Sequence, residues 1–121
     1  MRALKSILLV LIALVLVSGP AHADMHTGNH LYLDCTRGHP KLDPDMQELR
    51  CLSFISGFIT LQGTLERLEH RPEFCIPDDT MLKQYQLFFI YWAGRNANVL
   101  HQPAGSVLLD AMKEAFPCPA G

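Results

Sequence analysis

Four cysteines behind an N-terminal export signal constrain this chain more than any other feature. Arg2 and Lys5 precede an apolar run, which is followed by the small-residue motif Ala21-His22-Ala23. This order is typical of a secretory signal peptide that is cleaved before Asp24. A retained signal anchor is the alternative, although the apolar run is short for a membrane span. We therefore expect residues 24–121 to fold in an oxidising compartment, where four cysteines normally form two disulfides.

The part of the chain after the signal is long enough for one small domain. Small domains bury proportionately less surface, so covalent staples contribute much of their stability. The full sequence has 10 Lys and Arg and 12 Asp and Glu, and the signal segment carries two of the cations and none of the acids. The domain is therefore mildly acidic. The absence of a basic stripe or an arginine-rich arm argues against nucleic acid as a partner.

Hydrophobic periodicity predicts an all-α fold, a small disulfide-stapled bundle of about four helices. The longest helix is predicted from Pro44 to His70, because Asp43 is a favourable N-cap and Pro72 ends the pattern. Its apolar residues recur at steps of three and four, at Cys51, Phe54, Phe58, Leu61, Leu65 and Leu68. The remaining side carries only small residues, at Ser53, Ser56, Gly57, Thr60, Gly63 and Thr64. Such a helix is expected to be covered nearly all round, by the chain itself or by a second copy.

Three further helices complete the predicted bundle. They span about Gly28 to Thr36, Asp79 to Ala93, and Pro103 to Phe116. In the third helix the apolar run 87–92 is also compatible with a strand, but its place inside a longer capped pattern favours the helix. Large apolar groups on its outer side indicate a contact patch. The residues of a possible dimer or packing face are Phe54, Phe58, Leu61, Ile90 and Tyr91.

Four cysteines allow three pairings, and spacing alone does not select one. The predicted helix order adds a constraint, because Cys51 lies near the start of the long helix and Cys75 follows its end. In an up-and-down bundle the third helix descends and the fourth climbs, which brings Cys118 back beside Cys75. This topology favours the pairs Cys75–Cys118 and Cys35–Cys51.

Five histidines follow the predicted cleavage site, and histidine is a common metal ligand. His26 and His30 are four residues apart, a spacing that places both on one helix face, but they lie close to the new N-terminus. His39, His70 and His101 fall in predicted loops, and solvated histidines are the favoured interpretation. The sequence has neither a Cys-x-x-Cys nor a His-Glu-x-x-His motif. We expect no metal and no cofactor.

Catalytic chemistry is equally unsupported by the sequence. A cysteine hydrolase needs one reduced thiol beside a histidine, whereas all four thiols here have plausible disulfide partners. The paired carboxylates are explained by helix capping and a solvated face. We therefore predict a protein that is not an enzyme and that acts through its surface.

One connection between helices is the best candidate for a binding surface. The segment from Gly94 to Gln102 joins the last two predicted helices, and loops on a rigid scaffold commonly carry recognition. The predicted contact residues are Arg95, Asn96, Asn98, Val99, Leu100, His101 and Gln102. The alternative is an ordinary connector whose Val99 and Leu100 lie under the bundle. The segment from His39 to Leu42 is a second, weaker candidate.

Three cysteine-bearing motifs occur in order, Cys51-x-x-Phe54-Ile55-x-Gly57, Phe74-Cys75-x-Pro77 and Phe116-Pro117-Cys118. In this order and spacing they resemble the Tai-type periplasmic immunity proteins of type VI secretion. The resemblance implies a small helical protein of the periplasm that neutralises an injected peptidoglycan amidase, often a papain-like cysteine endopeptidase. Members of that family bind the toxin and occlude its active site, commonly as dimers. The likeness also implies that Gly57 allows close helix packing and that Cys75 and Cys118 are structural.

Two rival functions remain open at this point. A small acid-activated periplasmic chaperone is also helical and disulfide-stapled, and it would hide an apolar seam in a dimer until carboxylates are protonated. An exported enzyme with an unfamiliar site is the third class. A free reactive thiol would favour that last interpretation.

Overall fold

The computed structural model describes residue 1, residues 26–68 and residues 70–120. The signal segment and its expected cleavage site lie outside these ranges. The described residues confirm the all-α class, with the four helices α1 (Gly28–Thr36), α2 (Pro44–Arg67), α3 (Leu82–Arg95) and α4 (Ala104–Ala115). A short 3-10 turn, Ala97–Val99, lies between α3 and α4. Over the same ranges, no helix combines the length and apolar character that a membrane crossing requires.

Local capping explains where the first two helices begin. The Thr27 hydroxyl accepts a bond from the His30 amide, and the His30 ring accepts one from the Thr27 amide. In the same way, the Asp43 carboxylate accepts bonds from the backbone amides of Asp45 and Met46 at 3.0 and 2.9 Å. Both arrangements satisfy amides that the first turn of a helix otherwise leaves free.

The start of α3 differs from the prediction. Asp79 does not begin the helix, because its φ of 65° places it in the left-handed region. The Thr80 hydroxyl donates to the Pro77 carbonyl at 2.7 Å, which fixes a turn ahead of the helix. The helix begins only at Leu82, where the Gln84 side chain accepts a bond from the Met81 amide at 2.7 Å. Turn chemistry therefore places the start of the helix three residues later than the sequence suggested.

The other helix ends also shift by a few residues. α2 ends at Arg67 rather than at His70, and α3 continues through Gly94 to Arg95. α4 is one residue shorter at each end than the predicted span, since it begins after Pro103. α1 has the predicted bounds. Shifts of this size are ordinary where capping competes with continuation of the helix.

A single apolar core receives side chains from all four helices and from both long connections. Its members are Leu31, Cys35, Cys51, Ile55, Phe74, Tyr85, Phe89, Trp92, Ala93, Leu100, Ala104, Val107, Leu108, Ala111, Met112 and Phe116. Phe74, from the connection between α2 and α3, is fully buried and stacks on Phe58 with ring centroids 6.0 Å apart. The buried Gln86 amide donates to the Cys35 carbonyl at 3.0 Å and joins α3 to α1.

Two disulfides close the fold in the pairing that the up-and-down order favours. Cys35–Cys51 joins α1 to α2 inside the core. Cys75–Cys118 joins the connection before α3 to the segment after α4, and the Cys75 amide donates to the Phe116 carbonyl at 2.8 Å beside it. The second bridge encloses the longer stretch of chain, with a sequence separation of 43 against 16.

The described residues of one chain do not provide the coverage expected around α2. Only Gln47, Cys51, Ile55 and Gln62 are buried along its 24 residues. A methyl group added at Gly57 would meet nothing within 4 Å, so this glycine does not permit a close helix approach inside the chain, contrary to what the resemblance implied. The helix packs by one face, and the small-residue side is open.

Candidate binding site

The connection between α3 and α4 is a loop fixed by its own hydrogen bonds. The Asn96 side chain donates to the Trp92 carbonyl at 2.8 Å, which holds the loop to the last turn of α3. Within the loop, the Val99 amide donates to the Asn96 carbonyl at 3.1 Å, and the Gln102 amide donates to the Val99 carbonyl at 3.0 Å. A backbone with its polar groups paired in this way has little conformational entropy left to lose on binding.

The predicted contact residues divide into exposed and buried groups. Arg95, Asn98 and His101 are exposed. Asn96, Val99 and Gln102 are half-buried. Leu100 is only 3% exposed, so its side chain offers almost no surface to a partner. Its side chain belongs to the core, which is what the alternative interpretation of an ordinary connector expected for this residue.

Arg95 connects the loop to the outer side of α3. Its guanidinium lies over the Tyr91 ring, with Cζ 5.2 Å from the ring centroid, and it also donates to the Tyr91 hydroxyl at 3.3 Å. Tyr91 is 65% exposed. A cation held over an aromatic face is restrained in orientation while it remains available to a partner.

The outer side of α3 carries an apolar surface, which we call the α3 face and define as Gln84, Leu87, Phe88 and Tyr91. These four residues line a surface cavity of about 370 Å³. Leu87 and Phe88 are 58% and 40% exposed, a large fraction for apolar side chains. Clustered exposed apolar groups of this kind commonly mark an interaction surface.

The five residues of the expected dimer or packing face do not share one environment. Leu61 and Tyr91 are exposed, at 56% and 65%. Phe54, Phe58 and Ile90 are half-buried and pack against the core. Ile90 therefore packs partly inward, because the core side of α3 extends further around the helix than the simple spacing suggests.

A second segment, which the sequence pattern does not predict, contacts the loop. The Gly28 amide donates to the Gln102 carbonyl at 2.9 Å, and the Asn29 amide donates to the Leu100 carbonyl at 2.8 Å. In the opposite direction, the Ala104 amide donates to the His26 carbonyl at 2.7 Å. We call residues 26–29 the N-terminal segment. Such contacts join residues about 75 positions apart, a separation that periodicity and local motifs do not report.

Two of the histidines, His26 and His39, are not simply solvated, which differs from the interpretation that the sequence favours, whereas His70 and His101 are exposed. Asp34 is fully buried, and the Nε2 atoms of His26 and His39 lie 3.5 and 3.4 Å from its carboxylate oxygens. The Arg50 guanidinium approaches the same carboxylate at 3.3 Å. His30 instead caps α1. Across the described ranges, no group of three or more His, Cys, Asp or Glu side chains is placed to hold a metal ion.

The weaker candidate loop is held from inside the protein. The buried Gln47 side chain donates to the carbonyls of His39 and Leu42 at 3.1 and 2.9 Å, and it accepts from the His39 amide at 2.9 Å. These three bonds fix residues 39–42 against α2. The loop presents Pro40, Lys41 and Leu42 to solvent.

The geometry as a whole is that of a rigid helical support with one fixed, exposed loop and an adjoining apolar face. Residues 27–118 match the family model of the Rap1a immunity proteins, which is most of the chain. The chain belongs to the Rap1a immunity protein family. No curated protein matches the sequence.

Membership of the Rap1a family confirms the immunity-protein part of the resemblance seen in the cysteine motifs. The narrower likeness to the Tai-type proteins stays a prediction. A Rap1a immunity protein is expected to act by binding a cognate effector. Its function therefore depends on the exposed surfaces that could contact that effector. For this member the loop after α3 and the α3 face are the surfaces to consider.

Proposed function

We propose that this protein is a periplasmic immunity protein that binds a type VI secreted peptidoglycan amidase or endopeptidase and occludes its active site. It would protect the producing cell from its own effector and from that of its siblings. The family match, the export signal in the sequence and the two disulfides support this proposal. On this proposal the chain inhibits by contact and catalyses no reaction itself.

The fixed loop between α3 and α4 is the observation that carries the proposal. An inhibitor that fills a cleft gains affinity when its inserted segment is already in the bound conformation, since little ordering entropy is then lost. Here the loop backbone is hydrogen-bonded both within the loop and to the N-terminal segment, and Asn98 and His101 are exposed near its tip. The half-buried Val99 beside them supplies apolar area at the same site.

The first experiment is a titration of the purified mature protein into a purified peptidoglycan amidase encoded at the same secretion locus. Muropeptide release is followed as the readout. We expect complete inhibition at a stoichiometric ratio. An absence of both inhibition and binding across the wall hydrolases of the locus would overturn the proposal, and holding of aggregating clients at low pH would then favour the chaperone.

Alanine substitutions in the loop test its role directly. Asn98→Ala, His101→Ala and Arg95→Ala are each expected to raise the dissociation constant for the amidase, with at least one rising about tenfold or more, because a few central side chains carry most interface energy. The unfolding midpoint should change little, since all three side chains are exposed. Isothermal titration and thermal unfolding measure the two quantities.

Asp110→Ala provides the control for these variants, because this exposed residue lies two turns into α4 and away from the loop. It should bind the amidase like the unchanged protein. If all three loop variants also bind normally, the contact surface lies elsewhere, and the α3 face is the next surface to test.

We further propose that the protein forms a homodimer through the α3 face. A two-fold axis there would pack α3 against α3 of the second copy in antiparallel order. Asp78 and Asp79 precede the N-terminus of the helix and Arg95 ends it, so each acidic end would meet the partner's basic end. The exposed apolar groups of the face would be removed from water in the same step.

Sedimentation equilibrium tests the dimer. We expect the unchanged protein to be a dimer and Leu87→Glu to be a monomer, because the substitution places a charge in the proposed seam. Leu61→Glu is the matched control on α2, with a similar exposure of 56% against 58%. A monomeric unchanged protein contradicts the proposal, and dissociation by Leu61→Glu alone moves the seam to α2.

A further inference from the structure

We propose that the N-terminal segment is a clamp that holds the loop between α3 and α4 in its binding conformation, and that Gly28 is the positioning residue of this clamp. The inference rests on the proposed function, because it assigns a role to residues that support the effector-binding loop without contacting the effector.

The clamp consists of backbone hydrogen bonds from both partners. The first two amides of α1, those of Gly28 and Asn29, donate to the carbonyls of Gln102 and Leu100 at 2.9 and 2.8 Å. Amides in the first turn of a helix have no partner within the helix, and here the loop supplies one. The third bond runs the other way, from the Ala104 amide to the His26 carbonyl at 2.7 Å. Together they fix the loop's C-terminal half.

Gly28 is the residue that permits this approach. A Cβ atom built at this position would lie 2.9 Å from the Leu100 carbonyl oxygen and 2.6 Å from Cγ2 of Val107. Both distances are shorter than real Cβ contacts, and the carbonyl belongs to the backbone of the loop itself. Any side chain at position 28 must therefore push α1 and the loop apart. The requirement is for close approach, since this glycine does not have a positive φ.

The clamp itself is anchored to the rest of the protein. The His26 ring lies 5.8 Å from the Phe54 ring of α2, and its Nε2 atom lies 3.5 Å from the buried Asp34 carboxylate. α1 is in turn joined to α2 by the Cys35–Cys51 disulfide. The position of the loop is thus fixed relative to α2, the longest helix, through the contacts that α1 makes with both. Because the loop backbone is held in this way, its exposed side chains are restricted to a narrow range of positions.

Three consecutive loop residues show that those bound by the clamp differ from the one available to a partner. Leu100 and Gln102 offer their carbonyls to the clamp and are buried or half-buried, while His101 between them is exposed. The clamp therefore grips alternate residues and leaves the intervening side chain free for a partner. If the clamp is loosened, the loop presents the same side chains but adopts a wider range of conformations. We therefore expect mainly a shorter lifetime of the complex.

The test compares Gly28→Ala with Gly57→Ala in the disulfide-bonded mature protein. Hydrogen exchange is measured for the amides of residues 28, 29, 99–102 and 104, and the dissociation rate is measured against the purified amidase of the same locus. For Gly28→Ala we expect about tenfold faster exchange at these amides and about tenfold faster dissociation. Gly57→Ala should change neither, because a Cβ there meets no atom within 4 Å.

A double-mutant cycle separates positioning from general destabilisation. If Gly28 acts through the loop, then Gly28→Ala and His101→Ala should be non-additive in the dissociation rate, because the clamp holds the residues on either side of His101 and so sets the position of its side chain. Additive effects would overturn the positioning role. Faster exchange with an unchanged dissociation rate would overturn it as well, and unchanged exchange would overturn the clamp itself.

Ala104→Pro supplies an independent variant should Gly28→Ala fail to fold. Position 104 is the first residue of α4, which favours proline, and Pro103 already has the ψ of 137° that a following proline requires. The substitution removes the N–H that donates to His26, so we expect the same faster dissociation and the same faster exchange at the amides of residues 28, 29 and 99–102. If the unchanged protein binds no amidase, the proposed function fails, while the exchange data still decide whether the clamp exists.

Discussion

Replacing both Cys75 and Cys118 with alanine is expected to lower the free energy of unfolding by about 4 kcal/mol. The bridge closes a segment with a sequence separation of 43, so its removal frees a large part of the unfolded chain. Both cysteines are half-buried, which keeps the loss of packing small beside the entropic effect. Urea unfolding of the oxidised protein and of the variant measures the difference.

The paired variant without Cys35 and Cys51 is the natural comparison. Its shorter closed segment corresponds to about 3 kcal/mol of chain entropy, to which a packing loss is added because both sulfur atoms lie in the core. A loss below about 1 kcal/mol for the Cys75 and Cys118 variant would contradict the first expectation. It would mean that the Cys75–Phe116 backbone bond, the Lys113–Glu73 ion pair and the burial of Phe74 and Phe116 hold these ends together without the bridge.

Phe89→Ala is expected to destabilise the protein by about 3–5 kcal/mol, the usual cost of truncating a buried phenylalanine to alanine. Phe89 is fully buried on the core side of α3. Its neighbour Phe88 is 40% exposed and makes an edge-to-face contact with Phe116, with ring centroids 5.1 Å apart. Phe88→Ala should therefore cost only about 1 kcal/mol. Thermal and urea unfolding compare the two variants.

Phe88 and Phe89 also distinguish the effect of a substitution on stability from its effect on the α3 face. Phe89→Ala should weaken amidase inhibition only as far as it depopulates the folded protein, whereas Phe88→Ala alters the α3 face while the fold persists. Equal losses of stability from the two substitutions would contradict the orientation of α3, because one face of the helix would then bury as much as the other.

The helical class was predictable because hydrophobic periodicity is a local property of the chain. Steps of three and four along α2, with Asp43 and Pro44 at its start, predicted its first residue correctly. The same reasoning misplaced the start of α3, since Asp79 is a good cap residue by type but occupies a left-handed turn. Residue type gives a preference for a cap, while the connection from Pro77 decides which residue is used.

The candidate site was only partly predictable. The sequence indicated which loop joins α3 to α4 and which polar side chains it carries, and Arg95, Asn98 and His101 are exposed as expected. It did not show that Leu100 is buried, because a single apolar residue in a loop has no periodic pattern to show whether it faces the core. It also missed Asp34, whose burial beside His26, His39 and Arg50 depends on three different elements.

The sequence by itself determined the helical class, the approximate helix spans, the membership of an immunity protein family, and a disulfide pairing once an up-and-down order was assumed. These properties follow from periodicity, caps and motif spacing, which act over short stretches of chain. Only the tertiary structure decided that Leu100 is buried, that the small-residue side of α2 is open, and that Gly28 brings α1 against the loop. Each of these features depends on packing between residues that are distant in the chain. Close packing makes such contacts sensitive to small differences in shape, which local sequence patterns do not report.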